Sequence, residues 1–148
     1  MAIDRDTDPA SVMPVLSKLG IKATLLKGDV VSTDLDGRQF DLIVAFSVFE
    51  EVPELLPVLS SIHTLLKPGG ELLVGMPRVD RIMEWLFHFI GYRGIEQEHV
   101  HTYRDFIEHA RTGFDFRLEK LATLPRLAPR FASLYFAMLL KKPDRIEK

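Results

Sequence analysis

The sequence predicts an α/β fold: a doubly wound, mostly parallel sheet with an antiparallel strand pair at its C-terminal end. Two patterns carry this prediction. Over residues 1–76, short apolar runs of strand length alternate with apolar stripes at helical spacing, and turn residues separate them. Beyond residue 115, two further strand-like runs are joined by a short Pro-containing connection, which suits antiparallel neighbours.

Met1-Ala2-Ile3 ahead of Asp4 reads as the end of a strand. Asp8 then offers a side-chain oxygen as a helix N-cap, and Pro9 fits the first helical position, where a missing N–H costs nothing. Val12, Val15, Leu16 and Leu19 recur at helical spacing, and Gly20 supplies the left-handed residue that closes a helix. Pro14 inside this stretch predicts a kink. Ala23–Leu26 is a short strand running into Lys27-Gly28-Asp29, and residues 34–38 carry turn chemistry.

Phe40–Phe46 is almost continuously apolar, as expected of a parallel strand covered on both faces. Leu55, Leu59, Ile62 and Leu66 form a helical stripe that Lys67-Pro68-Gly69-Gly70 should stop, and Glu71–Met76 is the next strand. Gly69 and Gly70 read as structural, supplying positive φ between helix and strand. Ligands of such sheets lie outside the carboxyl ends of the strands. Asp4, Asp29, Ser47–Glu51 and Pro77 should therefore share one rim.

The second half is less regular. Val79–Ile90 reads as a helix apolar almost all round. Thr102 with Asp105 three residues later predicts a capping box, opening a helix through Phe106, Ile107 and Ala110 that closes at Gly113. Phe116–Leu124 and Phe131–Leu140 are the two final strands, with Pro125 and Pro129 in the loop between them.

Composition narrows the function classes. At 148 residues, 47% apolar and 27% charged, the chain suits one soluble globular domain. The absence of cysteine excludes disulfides, thiolate metal sites and cysteine nucleophiles, and suits a cytoplasmic protein. The N-terminus does not read as a signal peptide, and the longest apolar run is far below the roughly 20 residues of a membrane span. Net charge is −2 but uneven: residues 1–110 carry −7 and residues 111–148 carry +5. The basic end is either a solvated face beside a buried strand or a surface for an acidic partner. No nucleic-acid-binding module is present in the pattern.

Two blocks make the sequence recognisable. Phe40 to Pro53, a helical stretch, and then Leu65-Leu66-Lys67-Pro68-Gly69-Gly70-Glu71-Leu72-Leu73-Val74 resemble the fourth strand, following helix and fifth strand of class I S-adenosylmethionine-dependent methyltransferases. His99 to Phe114 resembles the late helix of that family, and Leu134 to Pro143 its final strand. The resemblance implies a Rossmann-like domain over residues 1–143, followed by a polar tail at 144–148.

It also gives the rim residues roles. Asp4 matches the acid that accepts from the cofactor's ribose hydroxyls, a task suited to a carboxylate with two acceptor oxygens. On the residues alone it also reads as a surface or capping acid beside Asp6 and Asp8. Gly28, Asp29 and Val30 match the motif whose Asp accepts from the adenine amino group and whose next N–H meets a ring nitrogen, although Gly-Asp is also ordinary turn chemistry. Ser47, Glu50 and Glu51 sit where relatives line the methionine end of the cofactor and the mouth of the substrate pocket. Glu51 stands where many relatives have His. It is a candidate catalytic residue and equally a first-turn helix acid. His99 is the second catalytic candidate, as an acid–base group facing the acceptor. No metal is expected.

The family's Gly-x-Gly-x-Gly-like loop, and the first strand before it, have no counterpart in these 148 residues. The expected sheet therefore lacks its first strand, which in the family lies between strands two and four. Three outcomes are open: a truncated product, closure of the two flanking strands, or a homodimer or partner chain filling the gap.

The expected activity is methyl transfer from S-adenosylmethionine to a small hydrophobic metabolite, incomplete in the chain as given. The apolar segment with Trp85, Phe87, Phe89 and Tyr92 lies where the family inserts its substrate cover, and reads also as a helix packed on the sheet. The alternative function is a non-catalytic methyltransferase-like module that binds a protein partner.

Overall fold

The computed structural model describes residues 1–78, 101–125 and 133–144. The predicted helix at Val79–Ile90, the aromatic cover and His99 lie outside these residues. The chain divides into two compact units, Met1–Arg38 and Gln39–Lys148.

In the first unit, β1 (Ala2–Asp4) and β2 (Leu25–Lys27) form a two-stranded parallel sheet, in register from Ala2↔Leu25 to Asp4↔Lys27. Helix α1 (Pro9–Lys18) connects them. Its start follows the sequence: the Asp8 carboxylate accepts from Ala10 N at 3.0 Å, and Pro9 occupies the first helical position. Pro14 is accommodated inside the helix, and Gly20 (φ 70°) ends the segment as expected. The second strand begins two residues later than the apolar pattern of Ala23–Leu26 suggests.

The second unit holds a four-stranded mixed sheet in the order β3-β4-β6-β5, made of β3 (Phe40–Phe46), β4 (Leu66–Pro77), β5 (Arg117–Leu124) and β6 (Tyr135–Lys141). β3 and β4 are parallel, while β6 runs antiparallel to both β4 and β5. The predicted C-terminal pair is therefore present, with β6 inserted between β4 and β5. The described strands form two sheets rather than one, and among the described residues β3 is hydrogen-bonded to a neighbouring strand on one side only.

Ladder partners share a face, so the rows across this sheet can be read directly. Leu72, Val74, Met76, Phe136, Met138 and Leu140 all point to one face and are buried. Helix α2 (Leu55–Leu65) contributes Leu55, Leu59 and Ile62 to the core, and helix α3 (Tyr103–Phe114) contributes Phe106 and Ala110. Phe49, just after β3, packs against Phe106 with ring centroids 4.6 Å apart. Each fully buried Leu, Met or Phe contributes about 1.5–3 kcal/mol.

The other face differs from expectation. Leu42, Val44 and Phe46 are each about half exposed, so β3 is not covered on both sides by the described residues.

Three boundaries also move. Leu66 completes the apolar stripe but already belongs to β4, because its partner is Phe40. Lys67-Pro68-Gly69-Gly70 does not separate helix from strand; it bulges within the strand, opposite Asp41, where the register shifts. Lys67 Nζ pairs there with the Asp41 carboxylate at 2.8 Å. Gly69 takes φ 72°, and a Cβ on Gly70 would lie 2.9 Å from the Lys67 carbonyl oxygen, so both glycines serve the backbone. Finally, α3 opens with the predicted Thr102–Asp105 capping box but runs past Gly113 to Phe114 and closes on Asp115 (φ 56°). Asp115 takes the left-handed position because a short polar side chain tolerates it.

Candidate functional site

Parallel strands put their carboxyl ends on one rim, and each unit has such a rim. In the first unit it carries Asp4, Gly28, Asp29 and Val30. Gly28 N donates to the Asp4 carbonyl at 3.0 Å, continuing the β1–β2 ladder into the turn. Asp4 Oδ1 accepts from Asp6 N at 2.9 Å and Thr7 N at 2.6 Å. Thr7, through its N–H and hydroxyl, and then the Asp6 N–H hold this exposed carboxyl below its usual range. The group is thus an ionised acceptor at the strand end. Both backbone donors use Oδ1.

Asp29 is more occupied. Its Oδ1 accepts from Val31 N at 2.8 Å and Ser32 N at 2.9 Å, and its Oδ2 accepts from the Ser32 hydroxyl at 2.5 Å. The Ser32 hydroxyl and N–H, then the Val31 N–H, lower its pKa. Gly28 suits this turn because its φ of 153° is one that residues with side chains rarely adopt, and a Cβ there would also lie 2.5 Å from Thr33 Oγ1. The turn-chemistry reading of Gly-Asp is therefore realised, and any further donor must use the remaining lone pairs of Asp29.

In the second unit the rim carries Ser47, Glu50 and Glu51 on the loop after β3, with Pro77 at the end of β4. Ser47 adopts φ 52°, a left-handed conformation unusual for a residue with a side chain. Its N–H donates to the Gly75 carbonyl at 2.9 Å. Its hydroxyl lies 2.9 Å from the Tyr135 hydroxyl at the start of β6. Glu50 is only 2% exposed, whereas Glu51 is exposed. The carbonyl of Pro53, on the same loop, contacts His101 Nε2 at 3.3 Å and so ties the loop to the segment ahead of α3.

Tyr135 is the rim residue that the sequence reading overlooked. It lies 88 residues from Ser47, and its ring is nearly parallel to Phe46, 11° apart with centroids 6.4 Å apart. Gly75 lies beneath both rings: a Cβ there would overlap the Phe46 ring and come 2.7 Å from Tyr135 Cε1. The available sequence signal was positional, since Tyr135 opens the last strand and pairs with Pro77 at the strand end. Among the described residues, no group of three or more His, Asp or Glu side chains could hold a metal. No helix among them is long and apolar enough to cross a membrane.

With this geometry in place, known proteins supply the class. The methyltransferase domain family model matches residues 5–121, so the chain belongs to that family. Its fold is that of solved S-adenosylmethionine-dependent methyltransferases. Asp4 stands one residue before the matched stretch.

Similar solved structures include an S-adenosylmethionine-dependent methyltransferase from Clostridium acetobutylicum ATCC 824, at TM-score 0.72 and 14% identity, covering 96% of this chain and 74% of that one. A second is 1,6-didemethyltoxoflavin-N1-methyltransferase from Burkholderia thailandensis, at TM-score 0.68 and 22% identity, covering 97% and 60%. A third is the N-methyltransferase NodS from Bradyrhizobium japonicum WM9 in complex with S-adenosylhomocysteine, at TM-score 0.63 and 15% identity, covering 96% and 66%. These likenesses are of fold. No curated protein sequence matches the chain.

Proposed function

We propose that the chain serves methyl transfer from S-adenosylmethionine to a small hydrophobic acceptor. The observation that carries the acceptor class is the rim after β3, where the hydroxyls of Ser47 and Tyr135 stand beside the half-exposed apolar row Leu42, Val44 and Phe46. A polar atom at the edge of an apolar wall suits a small molecule that is apolar except at the atom to be methylated.

The cofactor supplies an electrophilic methyl group on a sulfonium. When bound, it would methylate an acceptor heteroatom with the sulfur as leaving group, and the acceptor's proton would pass to a nearby base. The protein's part is to position and to exclude solvent. Asp4 fits the ribose diol, because it is ionised and exposed and has acceptor capacity beyond its local turn. Gly28, Asp29 and Val30 are proposed for the adenine end. Ser47 and Glu50 are proposed for the methionine end, and Glu51 and His99 remain the acid–base candidates.

The β3 edge, with a ladder on one side only, supports pairing there with a second copy or another chain. The absence of cysteine supports a cytoplasmic setting. No observation favours the non-catalytic alternative.

The test is isothermal titration with S-adenosylhomocysteine, followed by transfer of labelled methyl from S-adenosylmethionine to a panel of small apolar alcohols, phenols and amines. Saturable binding and label in an organic-extractable product are expected once a first strand and glycine-rich loop are supplied ahead of Met1. The 148 residues alone should bind the cofactor weakly or not at all. Label found only in water-soluble polar products would overturn the acceptor class.

A further inference from the structure

Three strands converge on one spot of the second unit. β3 ends there in Phe46 and Ser47, β4 passes beneath with Gly75, and β6 begins there with Tyr135. Phe46 pairs with Gly75 across the parallel ladder, and Tyr135 pairs with Pro77 two residues further along β4. All point to the face of the sheet that the described helices do not cover.

Gly75 decides what happens next. With no side chain, it lets both aromatic rings lie low on the strand, nearly parallel, and so brings the phenol hydroxyl to 2.9 Å from Ser47 Oγ. Ser47 is held in place from two sides, by its N–H on the Gly75 carbonyl and by its hydroxyl on Tyr135. The left-handed region is disfavoured for a non-glycine residue, and such strain persists where surrounding contacts over-determine it.

We propose that Tyr135 positions the methyl acceptor. Together with Ser47 it presents a fixed hydroxyl pair to the N–H or O–H of a small planar acceptor, whose apolar body rests against Phe46. The inference rests on the methyl-transfer reading and adds to it a residue and an acceptor shape. Two neutral hydroxyls are weak bases, so the pair orients the reacting atom and is not the group that removes its proton. Only one hydrogen lies between the two oxygens. The other hydroxyl hydrogen and the spare lone pairs are available to a ligand, so the pair can meet a donor and an acceptor at once. The near-parallel rings add a preference for flat molecules, because aromatic faces favour offset stacking.

The experiment uses the 148-residue chain with phenol and toluene, which have nearly the same shape and differ by one hydroxyl. Ligand-observed NMR measures both, on the unaltered chain, on Tyr135→Phe and on Gly75→Ala, with circular dichroism checking the fold of each. Phenol should bind the unaltered chain about threefold to tenfold more tightly than toluene, and Tyr135→Phe should abolish that ratio while leaving toluene unchanged. A merely structural role for Tyr135 would weaken both probes equally, and that result overturns the proposal. Absence of phenol binding to the unaltered chain overturns it as well. Titration with S-adenosylhomocysteine, on the chain carrying a first strand and glycine-rich loop ahead of Met1, is kept as a separate arm. Failure there counts against the methyl-transfer reading, whereas failure of the phenol–toluene ratio counts against Tyr135 alone.

Discussion

The ammonium of Lys142 closes the end of the helix that carries His63, donating to the His63 carbonyl at 2.6 Å and to the Leu66 carbonyl at 2.8 Å. The final carbonyls of a helix lack intrahelical donors, so a cation there answers both the hydrogen-bond deficit and the helix dipole. The His63 ring meanwhile packs against Phe114 and edge-on to Phe116, with centroids 5.8 and 5.6 Å away.

Partial burial and the Lys142 charge lower the His63 pKa, and Asp115 opposes them. The folded state therefore binds this proton less readily than the unfolded state. Its stabilising contribution is present above the ordinary imidazole range and is lost as pH falls through that range toward the folded value. Melting temperature should drop between about pH 7.5 and 5.5, and His63→Gln should flatten that drop. Parallel profiles for the two proteins would contradict it. Lys142→Met should cost about 1–3 kcal/mol in denaturant unfolding, since two charge-assisted hydrogen bonds are lost.

Gly75→Ala should destabilise the chain by about 1–3 kcal/mol, because the new methyl group must displace the Phe46 and Tyr135 rings. Urea unfolding measures the change. Gly37→Ala makes a useful contrast: nothing lies within 4 Å of its Cβ position, so only its φ of 65° resists the substitution.

With the first strand and glycine-rich loop supplied, Asp4→Ala should weaken S-adenosylhomocysteine binding by about 1–3 kcal/mol in calorimetry. It should also lower the melting temperature, because the Asp4 carboxylate holds the Asp6 and Thr7 N–H groups. Asp29→Ala should do two things, because its carboxylate also holds the 29–32 turn: weaken binding and lower the melting temperature. Unchanged affinity in both variants would remove these residues from the cofactor site.

The edge of β3 predicts self-association. Seven residues long, with Leu42, Val44 and Phe46 half exposed and Asp41 its only charge, it offers a flat template for another strand. Light scattering should find dimers, and Val44→Lys should shift them to monomers, since a lysine there disfavours pairing. A monomer at high concentration in the unaltered chain would argue against pairing at this edge.

Local chemistry was legible in the sequence, and long-range geometry was not. Asp8-Pro9 and Thr102–Asp105 announced their helix starts because a cap is a matter of three or four adjacent residues. Leu66 misled, since an apolar residue at the helical period looks the same whether the helix or the following strand buries it. Gly113 was chosen to end α3 over Asp115 because glycine is the commoner left-handed residue. The rim after β3 was legible through Ser47, but Tyr135 was not, because nothing local in a strand's first residue shows which side chain 88 positions away it will meet.

The position of β6 carries a consequence for how the chain is made. Among the described residues, β5 hydrogen-bonds to β6 alone, and β6 is the last strand in chain order. As the polypeptide leaves the ribosome, residues 117–124 emerge with no strand to join, and the β3–β4 pair waits with one side of β4 open. Residues 135–141 answer both at once, bringing Phe136, Met138 and Leu140 into the core in a single step. The four-stranded sheet therefore closes only once residues 135–141 have been made, and any event that stops synthesis before residue 135 leaves β4 and β5 each with an open edge.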